Sequence, residues 1–541
     1  MTEIDMSRYE SVLQVFDESC ARFADRPAFT CMGKTITYGQ LEEKSRYFAA
    51  YLQNNTDLKE GDRIAIQLPN TLMFPVAVFG ALRAGLVVVN TNPLYSEREM
   101  EHQFNDSGAR AIVVLANMAR SVQKVLRLTN LKHVFVTELG DMHPFIKRHA
   151  INKVVKYVKK MVPAYRLPYA IPFRKALHLG RKGHWVPTRA KLEDIAILQY
   201  TGGTTGVAKG AMLSHKNLVA NMLQARGVID SVLNEGGETV VAPLPMYHIY
   251  TFTVNCMVMM EQGNHSLLIT NPRDLPNFVK ELKNNHFTGF VGLNTLFVAL
   301  CNRDDFKALD FSSLKLTISG GMALTKTAAE QWKAVTGSDI AEGYGLTETS
   351  PVATFNPLRA IQLGSIGKPV GSTEIKVIDE NGRSLATGEA GELCIRGPQV
   401  MKGYWQQPEE TAKVLTADGW FRTGDVAVIQ DDGYVRIVDR KKDMINMSGF
   451  NVYPNEIEDV IASHPDVLEV AAIGVPDEKS GEAVKVFIVS RSGNLTVKEV
   501  REWCKKRLTA YKVPRHFEFR DELPKTNVGK VLRRQLRDEA N

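Results

Sequence analysis

Tyr200-Thr201-Gly202-Gly203-Thr204-Thr205-Gly206-Val207-Ala208-Lys209-Gly210 is the stretch whose reading decides the fold. The apolar run Ile195 to Leu198 leads into it and has the composition of a buried strand. Beyond it, Leu213 to Ala225 carries helical spacing, with Asn217 and Gln224 on the polar side. A strand, a loop of glycines and hydroxyls with one lysine, and then a helix together describe a phosphate-holding turn. The glycines let backbone N–H groups approach an anion, the threonines donate further hydrogen bonds, and Lys209 adds charge. A Walker A loop is excluded, because that pattern needs Gly at Ala208 and Ser or Thr at Gly210.

Working outward, strands alternate with helices. Thr37-Tyr38-Gly39-Gln40 reads as a capping box, and Leu41, Phe48, Ala49 and Leu52 mark the apolar face of the helix that follows. Arg63 to Leu68, Leu86 to Asn90, Ala111 to Leu115 and His133 to Thr137 read as strands, and Phe74 to Arg83 as a helix. This alternation predicts α/β layers around a largely parallel sheet. From about 364 to 438 the chain turns to short β segments with Gly-containing turns, which predicts a small β subdomain. After Lys441 a last α+β unit is expected: a helix opening at Pro454, strands over Val467 to Val475 and Ala483 to Val489, and a helix over Thr496 to Leu508. The expected division is therefore 1–441 and 442–541.

Composition narrows the function classes. The 541 residues give room for about three or four domain-sized units. A net charge of +7 is modest for that length and does not point to nucleic acid. The six cysteines are scattered without a C-x-x-C pair, which fits a reducing compartment and gives no thiolate metal site. MTEIDMSRYE has no apolar core of a signal peptide, and no run is long enough to span a bilayer. A cytoplasmic protein is expected, or one lying on the inner face of the cytoplasmic membrane. Residues 147–182 bear on that choice, with eleven Lys or Arg and no Asp or Glu. Val154, Val155, Val158, Met161 and Val162 form an apolar stripe among lysines. Two readings stay open: a solvated basic face over a core-packing helix, or apolar side chains dipping into a membrane whose anionic lipids meet the lysines.

Further motifs follow in order. Leu244-Pro245-Met246-Tyr247-His248-Ile249-Tyr250 places one histidine among apolar residues; alone, it reads as a packed core histidine. Thr288-Gly289-Phe290-Val291-Gly292 and Ser319-Gly320-Gly321-Met322 carry glycines at strand ends, where backbones approach closely. Glu342-Gly343-Tyr344-Gly345-Leu346-Thr347-Glu348 sets a tyrosine between glycines, followed by a hydroxyl and a carboxylate. Asp418-Gly419-Trp420-Phe421-Arg422-Thr423-Gly424-Asp425 runs on to Asp439-Arg440-Lys441-Lys442, with a hairpin turn at Gly433-Tyr434 between them. Near the end stands Pro524-Lys525-Thr526-Asn527-Val528-Gly529-Lys530.

Together these motifs resemble the adenylate-forming superfamily, and 418–443 resembles the fatty acyl-CoA synthetases among its members. The resemblance covers the chain from about Ser7 onward and is nearest to bacterial long-chain fatty acid–CoA ligases. It implies a large N-terminal α/β domain with a β subdomain, and a smaller mobile C-terminal domain. The implied reaction joins a fatty acid carboxylate to Mg-ATP, giving acyl-adenylate and pyrophosphate, after which CoA displaces AMP. Tyr200, Thr201, Gly202, Gly203, Thr204, Thr205, Gly206 and Lys209 would hold phosphates. Gly320, Gly321, Glu342, Gly343 and Tyr344 would form the adenine pocket, and Thr347 would donate to the α-phosphate. Glu348 would bind Mg²⁺, a hard cation that prefers oxygen. Asp425 and Arg440 would take the ribose, and His248 would sit beside the acyl carboxylate. Lys442 falls at the hinge, Lys530 would be the cation of the adenylation step, and Ser448, Gly449 and Phe450 would line the CoA channel. The absence of a carboxylate over Met246 to Thr253 argues against an amino-acid substrate. Homodimers occur in the resembling family. A medium-chain or aryl acid–CoA ligase, an acyl-AMP ligase and a non-catalytic fatty-acid-binding factor remain as alternatives.

Overall fold

A computed structural model describes residues 3–201, 208–447, 450–477, 480–526 and 531–540. Two twisted sheets form its larger part. The first has seven strands in the order Ile171–Pro172, His133–Thr137, Ala109–Leu115, Arg63–Gln67, Val87–Asn90, Ile195–Thr201, Lys209–Ser214. All neighbours are parallel except the last pair. The second has nine strands, in which five central ones, from Ile340–Gly345 to His265–Leu268, run parallel and are joined on one side by Pro27–Cys31. The parallel strands Ile64–Ile66 and Val240–Ala242 are buried on both faces and apolar throughout, as helix-covered strands must be.

The helices Val12–Arg22, Met73–Arg83 and His215–Ile229 belong to the one large core that joins the sheets. Every residue of Met73–Arg83 is buried. That includes Arg83, whose charge is met by Glu42 at 2.9 Å and Asp17 at 3.2 Å. Gly80 belongs to this packing: a Cβ there would stand 2.8 Å from the Phe48 ring. Thr37 and Gln40 do form the reciprocal cap expected of them.

The glycine-rich stretch departs from the strand–loop–helix reading. Lys209–Ser214 is a strand, antiparallel to Ile195–Thr201, and residues 202–207 between them lie outside the described residues. The helix starts only at His215, capped by Ser214, a full strand length beyond the loop. A whole strand therefore separates Lys209 from the N-terminal dipole of that helix. Asn217 and Gln224 also differ from expectation, since both are buried. Asn217 Nδ2 donates to the carbonyls of Pro398 (2.9 Å) and Val400 (2.7 Å), and Gln224 Nε2 to that of Gly371 (2.8 Å). They pin the helix to irregular backbone whose carbonyls have no ladder partner, which is why polar residues sit on an inward face.

A four-stranded antiparallel sheet, Glu374–Ile378, Ala390–Arg396, Phe421–Ile429 and Val435–Arg440, occupies the region expected to be β-rich. The last unit is a five-stranded sheet built on the long hairpin of Val467–Asp477 and Gly481–Ser490, with helices Pro454–Ala462 and Val497–Lys505. Arg533 ties this unit to the preceding strand, reaching Glu458 at 2.6 Å, Asp443 at 3.4 Å and Asp439 at 3.8 Å. Among the described residues, no helix is long and apolar enough to cross a membrane.

Candidate active site

A cleft of about 720 Å³ opens where the two large sheets and the small β sheet meet. Its two ends differ in chemistry. The polar end collects the motif residues, and a second, apolar arm runs between the helix His215–Ile229 and the π-wound segment Phe252–Val258.

Strand register builds the polar end. Asp425 and Arg440 lie directly opposite each other on neighbouring antiparallel strands, and Arg440 Nε stands 3.2 Å from Asp425 Oδ1. Tyr344 Oη donates to Asp425 Oδ2 at 2.6 Å. The carboxylate is 4% exposed, so both partners act in a site with little water. Tyr344 needs its neighbours to be glycine: a Cβ on Gly345 would fall 1.8 Å from the Pro351 carbonyl, and one on Gly343 would strike the Phe355 ring at 2.7 Å. Glu342, on the same strand, is buried and accepts from the Leu324 N–H at 3.1 Å. Burial pushes its carboxyl up to about 8, against the opposing pull of that N–H. Gly320 and Gly321 lie across the cleft, with Gly320 against the Tyr250 ring.

Thr347 and Glu348 sit on a short turn at the end of this strand and line the cleft. Glu348 is 9% exposed, and burial raises its carboxyl above the usual range. Tyr404 Oη donates to Glu348 Oε1 at 2.7 Å, which fixes the carboxylate's direction. A nearly buried carboxylate on the cleft wall with one oxygen held from behind suits a hard cation that keeps most of its waters and shares phosphate oxygens. Glu348 therefore fits the Mg²⁺ expected of it. Among the described residues no group of three or more His, Cys, Asp or Glu could hold a metal without other ligands.

At the hairpin, Thr201 and Lys209 flank the loop and line the cleft. Tyr200 is buried, its hydroxyl donates to Asp106, and it does not line the cleft. Gly202, Gly203, Thr204, Thr205 and Gly206 lie outside the described residues. Lys209 pairs with Glu410, and its ammonium stands 5.2 Å from the centre of the Tyr404 ring. Lys209 and Glu348 thus share Tyr404 as a neighbour.

His248 marks the junction of the two arms. It caps the helix Ile249–Thr251, its Nδ1 accepting from the Tyr250 N–H at 3.3 Å, so the neutral ring keeps its proton on Nε2. Asn70 holds the approach to it: its amide donates to the carbonyls of Ala242 and Leu244 and accepts from the Met246 N–H, all within 2.9 Å. The apolar arm continues along Ala225, Val228 and Ile229 on one side and Val254 and Val258 on the other. Lys442 lines the opposite rim with Lys441. Ser448, Gly449 and Lys530 lie outside the described residues, and Phe450 begins the strand Phe450–Val452.

Sequence reading passed over Tyr404, Glu410, Asn70 and the whole apolar arm. Tyr404-Trp405 does leave a signal, an aromatic pair after Gly403 in a polar stretch. Asn70 and the arm leave none, because single polar or apolar residues on separate elements have no pattern until the chain folds.

A cleft in which a buried carboxylate and arginine meet a tyrosine, with Thr201 and Lys209 on its wall, suits a nucleotide-using enzyme. Residues 16–405 match the AMP-binding enzyme family and residues 456–530 its C-terminal domain, and the chain belongs to that family. It is 54% identical over 540 residues to a long-chain-fatty-acid–CoA ligase of Escherichia coli O157:H7, covering all of this chain and 96% of that one. A long-chain-fatty-acid–CoA ligase of Haemophilus influenzae is 52% identical, covering 99% and 96%. Among solved structures, the anthranilate CoA ligase AuaEII in complex with anthranoyl-AMP superposes with a TM-score of 0.88 at 25% identity, covering 98% and 97%.

Proposed function

We propose that this protein is a long-chain fatty acid–CoA ligase that forms acyl-adenylate from fatty acid and ATP and then acyl-CoA and AMP. The observation that carries this reading is the continuity of the cleft. One space joins the Tyr344–Asp425–Arg440 group to an apolar arm closed on both sides by helices. A nucleotide site alone would not need the arm, and a fatty-acid carrier would not need the buried ion pair.

The chain's residues supply position and charge, and no covalent nucleophile is required. Asp425 accepts from the ribose hydroxyls with Arg440 beside it, and Tyr344 lies against the base. Thr347 donates to the α-phosphate, and Glu348 would hold Mg²⁺, which would supply neutralisation of phosphate charge when bound. His248 orients the acyl carboxylate at the mouth of the arm. Lys530 supplies positive charge as that carboxylate attacks phosphorus. A rotation at Lys442 then withdraws Lys530 and brings Ser448, Gly449 and Phe450 to the pantetheine path. Lys530→Ala tests the rotation: adenylation should be lost while thioester formation from preformed acyl-adenylate is largely kept. Equal loss of both steps would sink it.

The main test is AMP release with Mg-ATP and CoA across fatty acids from short to long. A steep rise with long acyl chains, dependent on CoA, is expected. Turnover that ignores CoA would point to an acyl-AMP ligase, and none at all to a binding protein.

The basic segment supports a second element of the reading, peripheral contact with an anionic membrane. Ile146 (83% exposed) beside it, and Val158 (73%) and Tyr169 (86%) within it, stand out among Lys147, Lys153, Lys156 and Lys159, so part of its apolar stripe faces solvent while Val162 packs against a buried cluster. Co-sedimentation with anionic but not neutral vesicles, lost on Ile146→Glu with Val158→Glu, would support it. Equal pelleting with neutral vesicles would remove it.

A further inference from the structure

The last lining residues of the apolar arm stand beside a polar cluster. On the helix His215–Ile229, the lining residues Asn221, Ala225, Val228 and Ile229 follow one face, and the last two lie in its final turn. Opposite them, Val258 is the last lining residue of the π-wound segment. One turn past Val258 stands Glu261, only 2% exposed. Arg226 Nη1 binds Glu261 Oε1 at 2.6 Å, Tyr9 Oη donates to the same oxygen at 3.0 Å, and Arg8 approaches it at 3.5 Å. Beside this pair, Gln262 Nε2 donates to Asp230 Oδ1 at 2.6 Å. Two polar ties thus clamp the C-terminal end of the helix to the segment that faces it.

Resting on the long-chain reading above, we infer that this clamp is the end stop of the acyl channel and sets the longest chain the enzyme accepts. From Asn221 to Ile229 the helix rises about 12 Å, which is the length of this part of the wall. Each methylene that enters the arm gains by leaving water, until the terminal methyl reaches Arg226 and Glu261. Going further would separate the hydrogen-bonded pair and leave the Glu261 carboxylate, only 2% exposed, facing hydrocarbon, which costs more than another methylene returns. The neighbouring valines make the wall smooth and the clamp makes it finite. Arg8 and Tyr9 come from the start of the chain, so the stop is assembled only when the first residues are docked.

The test compares kcat/KM for AMP release across medium, long and very long saturated fatty acids in three proteins. Arg226→Leu with Glu261→Leu removes both charges together, so neither is left buried and unpaired. It should raise the ratio of very-long- to long-chain kcat/KM by about tenfold, the worth of one to two further methylenes. Val228→Phe fills the arm short of the clamp and should lower the long- to medium-chain ratio by about a hundredfold, the loss of three or four methylenes. Circular dichroism and ATP binding check that each variant is folded. If the double variant does not fold, Val228→Phe alone decides: an unchanged ratio means the chain does not run down this arm, and the inference falls. Ratios unchanged in the double variant overturn the clamp as the stop. An unaltered enzyme without long-chain preference would instead defeat the long-chain reading, an outcome separable from both.

Discussion

The two ends of the cleft are preformed by different means. The polar end is held by charges that partner one another: Tyr344 and Arg440 on Asp425, Tyr404 on Glu348, Glu410 on Lys209. The apolar arm is held by packing between two helices, with the Arg226–Glu261 pair beside its last lining residues. Where charge does the holding, one residue carries much of the effect and a single substitution removes it. Where packing does, the effect is spread over a surface and is read only as a profile over substrates. Breaking the polar end should therefore change rates without changing chain preference.

The largest expected break is Glu348→Gln. It keeps the shape and the Tyr404 hydrogen bond but removes the negative charge offered to a cation. Adenylation kcat should fall by about 10²–10³-fold, the usual cost of losing one preorganised electrostatic group. Chain-length preference should stay put, measured as pyrophosphate release over the same fatty acids. A shifted preference would mean that the two ends are coupled, and the contrast drawn above would fail.

Asp425→Asn should come next, lowering kcat/KM for ATP by about 10–100-fold. The amide keeps an acceptor for Tyr344 but leaves Arg440 without its counter-charge. The loss should appear mainly in the KM for ATP, with the fatty acid KM little altered. A fall confined to kcat would place Asp425 in transition-state stabilisation instead.

This contrast also explains what could be read from the sequence. The polar end uses backbone approach and short loops, so Gly343-Tyr344-Gly345 and Gly424-Asp425 stay contiguous and their chemistry shows as motifs. Even there, adjacency misled: Lys209–Ser214 carries no strong strand signal and is a strand because it pairs with Ile195–Thr201. Helical spacing from Leu213 pointed the loop at a helix terminus that lies a strand away. Asn217 and Gln224 are buried for the sake of carbonyls some 150 to 180 residues distant, a demand that no local pattern contains. The arm is the extreme case, since Val228 and Val258 meet only in the folded chain, and each alone is an ordinary apolar residue of a helix.

The polar end should also set a pH dependence that the arm cannot. Glu342 titrates near 8 in the folded protein because burial disfavours its charge, against about 4.5 when unfolded. The folded state thus binds a proton that the unfolded state has released between those values. Stability is greatest below about 4.5 and declines as pH rises to about 8, by up to roughly 1.4 kcal/mol per pH unit from this group. Glu342→Gln keeps an acceptor for the Leu324 N–H and has no charge to bury. Its Tm should match the unaltered protein at low pH and exceed it at pH above 8. Parallel Tm curves across the whole range would show that Glu342 is not the group responsible.

The smallest expected effect concerns Lys209, and it bears most directly on how the polar end is held. Lys209 is paired with Glu410, whose carboxyl is pulled down to about 2 by Lys209 first and Lys413 second. A lysine that meets phosphate must leave or share that partner, so binding nucleotide works against a contact already present. Glu410→Gln weakens the competing contact while keeping size and hydrogen bonding. The KM for ATP should then fall by about threefold, the scale of a partly exposed ion pair, and kcat should change less. High salt screens exposed pairs, so it should narrow the gap between the two proteins. A KM that rises instead would mean that Glu410 aims Lys209 at the phosphates in the bound state. The pair would then be part of the binding geometry, and the charges at this end would be positioned for the ligand and not merely neutralising each other without it.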